Sequence, residues 1–186
     1  MNSIATVLMM TALFSAPTIA AAAATGEAAM TDHLHDFDFL TGNWRVHHWL
    51  LKERLVGNHQ WIEFEGTLRN WATMGGHGNV DDTYIGKPGG SYRALGIRGY
   101  DPGSQTWAIW WLDGRDSHEI GPPVIGNFEN GVGTFEGDDT FEGKPIKARF
   151  VWSKITRNSA HWEQAFSPDG GRTWEVNWRM DIRRAP

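Results

Sequence analysis

The chain has 186 residues, a formal net charge of −5, no cysteine, 11 Trp and 22 Gly. That length suits one domain, and a 40% hydrophobic, 21% charged composition supplies a core and excludes wholesale disorder. The missing cysteine excludes disulfide staples, thiol chemistry and a lipidated N-terminus. The negative charge argues against a nucleic-acid partner, which would call for a basic face.

In chain order, residues 1–24 carry no charge, with an apolar stretch from Ile4 to Phe14, a break at Ser15, Ala16 and Pro17, and small residues from Ala20 to Ala24. This layout predicts a signal peptide over residues 1–24, cleaved after Ala22 or Ala24, although its n-region lacks Lys or Arg. The expectation is a periplasmic or secreted protein, with a flexible leader over 25–35 and one domain over 36–186. No apolar run reaches the roughly 20 residues of a membrane helix, so no membrane span is expected.

Beyond the leader, short β-rich runs alternate with turn signals. A helical turn is expected near residues 35–40, then strands over 42–55 and 60–72. Residues 91–100 and 106–112 form a hairpin around Asp101-Pro102-Gly103-Ser104. Asn130-Gly131 joins 124–129 to 132–137. Three late strands occupy 144–154, 159–167 and 173–182. In the last, Trp174, Val176, Trp178, Met180 and Ile182 share one face, and Glu175, Asn177, Arg179, Asp181 and Arg183 the other. About nine period-2 runs without crossover helices predict an all-β fold, an antiparallel up-and-down barrel of about 8–10 strands with a short N-terminal helical turn.

The stretch FDFLTGNW, residues 37–44, resembles the opening of lipocalin/calycin barrels. More closely, FDFLTGNWRV, FEGTLRNW, GHGNVDD, GIRGYDPGSQTWAIWWLD and HWEQAFSPDGGRTWEVNW make residues of about 36–184 similar to a bacterial family of unknown function, the DUF1579-like proteins. The resemblance implies a calycin-like barrel with Trp44 packed across its base under Arg179 or Arg183; it carries no reaction. Ser167-Pro168-Asp169-Gly170-Gly171-Arg172-Thr173-Trp174 also matches the Asp-box pattern of sialidase propellers. In a single copy it reads as a hairpin cap.

Barrels of this size can hold one small ligand. Eleven Trp exceed a minimal core, so some should fill the barrel and others its outer face. Adjacent Trp110 and Trp111 point to opposite faces, placing one in the lumen. The candidate ligand-binding residues are Trp61, Trp71, Asn79, Trp110, Trp111 and Trp178. The glycine-rich stretch over 75–82 reads as a polar loop in which His77 could serve as acid or base, oriented by Asp81. Glu63, Arg98 and Glu163 would complete a catalytic set if they face the lumen. On the solvent face they would be ordinary surface charges. His47 and His48 point to opposite faces, so one at most enters the barrel. Asp113, Arg115, Asp116 and His118 sit in a loop that could border its mouth. No metal site or cofactor is expected, because the sequence has no HExxH, no Cys/His cluster and no phosphate-loop or nucleophile-elbow motif.

These readings lead to an exported, lipocalin-like protein with an aromatic-lined pocket for a small apolar or aromatic molecule. The alternative is an isomerase, lyase or hydrolase acting on a small hydrophobic substrate through acid/base residues at the barrel mouth. Oligomeric state is not legible.

Overall fold

The computed structural model describes residues 33–186. The expected signal peptide, and the leader as far as residue 32, lie outside the described residues. No helix among the described residues is long and apolar enough to cross a membrane.

A 3-10 turn, Asp38–Leu40, leads into ten antiparallel strands. They are β1 (Gly42–Leu51), β2 (Trp61–Thr73), β3 (Gly78–Ile85), β4 (Tyr92–Asp101) and β5 (Thr106–Asp113), followed by β6 (Val124–Glu129), β7 (Val132–Phe141), β8 (Lys144–Ser153), β9 (Ser159–Ser167) and β10 (Glu175–Arg184). Each strand pairs with its sequence neighbours, and β1 pairs with β10, so the sheet closes into an up-and-down barrel without a free edge. The expected barrel is thus observed.

One strand escaped the sequence reading. Gly78–Ile85, taken as part of a glycine-rich loop, is β3 and pairs along its full length with β2 and β4. Its inward positions are Asn79, Asp81, Thr83 and Ile85. Because the first three are polar, the hydrophobic alternation that marks a strand is absent. Only Met74–Gly76 and His77 remain as the connection.

The antiparallel order puts the connections 74–77, 102–105, 130–131 and 154–158 at one end, with the N-terminal turn. This end is plugged. Phe37 is buried among Trp107, Phe128, Phe135 and Trp152, with ring centroids 4.9–6.0 Å apart. The chain is anchored there from residue 33, whose carbonyl accepts a 2.8 Å bond from Trp107 Nε1. Trp44 crosses the base and donates from Nε1 to the Leu40 carbonyl at 2.6 Å. The cation over its ring is Arg184, at 4.1 Å, and neither Arg179 nor Arg183. The correction follows from side-chain parity: Arg184 shares the face of Trp178, Met180 and Ile182, whereas Arg179 and Arg183 point out. Arg184 also donates to the Phe39, Thr41 and Arg157 carbonyls, fastening the turn to the chain end.

Two irregularities matter for the lumen. The β9–β10 register shifts between Val176 and Trp178, so Asn177 is an extra residue, fully buried and accepting a 2.8 Å bond from Gln164. The β5–β6 seam is short, with register pairs ending at Ile109–Val124, so residues 110–113 have no partner on β6. The Asp-box segment is the hairpin cap expected. Asp169 Oδ1 accepts from Ser167 Oγ and from the Arg172 and Thr173 amides, and Trp174 Nε1 donates to the Gly171 carbonyl.

Candidate functional site

Alternation divides the Trp set. Trp44, Trp107, Trp111, Trp152, Trp162 and Trp178 point inward, and Trp49, Trp61, Trp71, Trp110 and Trp174 lie outside. Above the basal plug, Trp111, Phe150, Trp152, Trp162, Trp178, Leu68, Ile109 and Met180 enclose a cavity of about 120 Å³, with a polar wall formed by Asp81, Thr83, Gly96, Arg98 and Gln164. Asp139 of β7 lines its margin. Trp178 packs edge-on against both Trp111 and Trp162, with centroids about 6 Å apart. This arrangement suits aromatic quadrupoles and leaves ring faces and edges toward the space.

The polar wall is built on β3 and β4. Arg98 and Asp81 are both almost fully buried and form an ion pair at 2.5 Å between Nη1 and Oδ2. Asp81 Oδ1 accepts from Thr83 Oγ1 at 2.8 Å and from the Gly96 amide at 3.3 Å. Arg98 Nη1 also donates to Asn79 Oδ1, which accepts a second bond from Asn70. Glycine at 96 permits this approach, since a Cβ there would lie 2.6 Å from Asp81 Oδ2. A buried carboxylate is tolerated only when its charge and lone pairs are matched, and here they are. The Arg98 guanidinium stands over Phe37 and Trp152, at 5.2 and 5.6 Å.

His48 is the inward member of the His47–His48 pair. It is fully buried and stacks on Phe64 with ring centroids 4.8 Å apart. Trp178 Nε1–H can only donate, and it lies 3.2 Å from His48 Nδ1. Nδ1 therefore carries no proton, and the neutral ring holds its proton on Nε2, which has no partner among the described residues. Burial pushes this imidazole down to about 3. Outside, His47 lies between Glu65 (2.5 Å) and Glu63 (3.2 Å). The hydrogen bond to Glu65 raises its pKa above the ordinary value, opposed by some desolvation.

The two neighbours thus respond to pH with opposite sign. His47, with a raised folded value, contributes stability that is full below pH 6.5 and is lost as pH rises above 6.5 through its higher folded value. His48, with a depressed one, costs stability as pH falls from 6.5 towards 3, because only the unfolded chain takes up that proton. Nitrogen-15 NMR across pH 7 to 4 should find His48 fixed as the neutral Nε2–H form while His47 is charged at pH 6.5. A His48 that titrates near 6.5 contradicts the assignment.

The structure brings together Asp81, Arg98, Asn79, Trp111 and Trp178 from the sequence candidates. Of the remainder, Trp110 borders the cavity through its strand and the others lie apart from it. Glu63 is exposed beside His47, and half-buried Glu163 accepts from Arg179 on the outer face at 3.0 Å, next to His161. His77 is exposed at the plugged end, separated from Asp81 because Asp81 belongs to β3. Trp61 lies under Arg179 at 4.7 Å, and Trp71 is 43% exposed. Trp110 borders the cavity, but its ring comes within 3.7 Å of the position of a Gly99 Cβ on the outer face, so its share of the wall is the strand itself. Arg115 pairs with Asp113 and covers Tyr92 at 3.8 Å. Sequence reasoning passed over Trp152, Trp162, Thr83 and Gln164. The grouping of Trp162 with Gln164 on one strand face was the available signal.

Fold and cavity together define a closed ten-stranded barrel with an aromatic chamber and a buried ion pair in its wall. No family model matches the chain, and no curated protein matches it.

Proposed function

We propose that this protein is an exported, calycin-like carrier that binds one small apolar or aromatic molecule inside its barrel. The observation that carries the reading is the cavity of about 120 Å³ walled by Trp111, Trp152, Trp162, Trp178 and Phe150. An apolar cavity of about 150 Å³ holds a benzene-sized guest, so one aromatic ring is the scale of ligand implied. The motif resemblance to DUF1579-like, lipocalin-like proteins points the same way, and the uncharged, small-residue-rich N-terminus supports export.

The enzyme alternative draws support from Asp81 and Arg98 meeting at the cavity. It is the weaker reading, because both Asp81 oxygens already accept hydrogen bonds, so Asp81 is not a free base beside the aromatic walls.

Titration with single-ring aromatic compounds tests the proposal through intrinsic Trp fluorescence. Binding should quench or shift the emission of the wild type, and Trp178→Leu should lose much of that response. Native mass spectrometry of protein from its own host should show a retained small molecule. No bound molecule and no response to any single-ring compound would remove the reading.

A further inference from the structure

The chamber wall is interrupted on one side. Strand β6 starts at Val124, and towards the mouth its register ends at Ile109–Val124 with β5 and at Ile125–Glu136 with β7. Beyond those pairs, residues 110–113 of β5 and 137–141 of β7 flank a gap of two inter-strand spacings, about 10 Å. The connection from β5 to β6 is not packed into this gap, since residues 114–122 are all exposed. Two cavity-lining side chains border it, Trp111 on β5 and Asp139 on β7.

Asp139 is the charged residue of the lining that lacks an opposite charge. Register turns it inward, beside buried Ile146 of β8, and at the gap it is exposed. Its Oδ1 accepts from the Thr140 amide at 2.7 Å, and its Oδ2 has no hydrogen-bond partner among the described residues. The nearby cations are engaged elsewhere. Lys147 pairs with Asp138 on the outer face, and Arg54, over the Phe141 ring, has Glu175 as its acidic neighbour. Within the wall Arg98 and Asp81 cancel, so Asp139 leaves the lining at −1.

The rings favour the same sign of guest charge. Trp178 stands at 78° to Trp111 and 83° to Trp162, so indoles wall the space in two perpendicular orientations. Aromatic faces attract cations, and an unpaired carboxylate attracts a cation and repels an anion. Resting on the carrier reading above, we propose that the guest is an arylalkylamine in its ammonium form. Its ring packs among Trp111, Trp162 and Trp178, and its ammonium lies in the gap at Asp139.

Three compounds of similar size separate the alternatives: phenethylammonium, 2-phenylethanol and phenylacetate. Calorimetric titration of the wild type should find phenethylammonium about fivefold or more tighter than 2-phenylethanol, the scale of a partly exposed ion pair with a cation–π contribution, and phenylacetate weakest. Added salt should narrow the preference. Asp139→Asn keeps the shape and the acceptor for the Thr140 amide. It should bring phenethylammonium down to the affinity of 2-phenylethanol and leave 2-phenylethanol little changed. Asp138→Asn makes the same change of net charge on the outer face and should leave the preference in place. Equal binding of the ammonium and the alcohol, a preference that survives Asp139→Asn, or one lost equally in Asp138→Asn would overturn this proposal and leave the carrier reading intact. Tightest binding of phenylacetate would overturn it in favour of an anion site. Failure of all three to bind would overturn both readings.

Discussion

Arg98→Met should lower the free energy of unfolding by about 3–5 kcal/mol, because removing one partner of a buried pair strands the other as an uncompensated charge. Asp81 has almost no access to water, and Thr83 Oγ1 and the Gly96 amide alone cannot replace the guanidinium. Methionine keeps much of the side-chain volume, so little of the loss is cavity formation. The double variant Asp81→Asn/Arg98→Met removes both charges and should recover more than half of the deficit. Urea unfolding of the four proteins forms a closed cycle. If Arg98→Met costs less than 1 kcal/mol, or the double variant is worse than the single, the pair is not the electrostatic unit described.

Phe37→Ala should cost about 3–5 kcal/mol as well, by a different route: lost burial together with the void left by a ring that cannot be refilled. Phe37 is the centre of the basal plug and touches Trp107, Phe128, Phe135 and Trp152, each held by a different strand. Phe37 reaches the strands from a 3-10 turn fastened by Arg184, so the vacated space cannot close by a simple shift of one strand. Thermal or urea unfolding reads the loss. Because the Arg98 guanidinium stands 5.2 Å from the Phe37 ring, Phe37→Ala and Arg98→Met should not be additive. Strict additivity would argue against their contact.

Much of the barrel could be read before its structure was known, for a physical reason. Antiparallel strands between a filled lumen and water leave a period of two, and residues 42–50 and 178–183, beyond the Asn177 bulge, display it plainly. Turn chemistry was equally legible at Asp101-Pro102-Gly103-Ser104, Asn130-Gly131 and the Asp-box. The polar chamber wall was not, because β3 turns Asn79, Asp81 and Thr83 inward and so inverts the hydrophobic rule. Arg98 could be nominated, but its partner could not be paired with it until β3 and β4 lay side by side. The choice between Glu63 or Glu163 and Asp81 as the buried acid depends on register with neighbouring strands, which local pattern does not encode. Arg184 was missed at the base although its parity with Ile182 pointed there.

The short β5–β6 seam is where the chamber would open to exchange the guest proposed above. A closed barrel opens first where its ladder is weakest, and three register pairs join β5 to β6 whereas ten join β1 to β2. Separation at this seam is a local opening that leaves the basal plug intact. Amide protons around residues 106–109 should therefore exchange sooner than those of β1, and guest release should follow that opening rate rather than global unfolding. Residence time of the proposed guest would then be tuned at the Ile109–Val124 pair, whose Ile109 also lines the chamber.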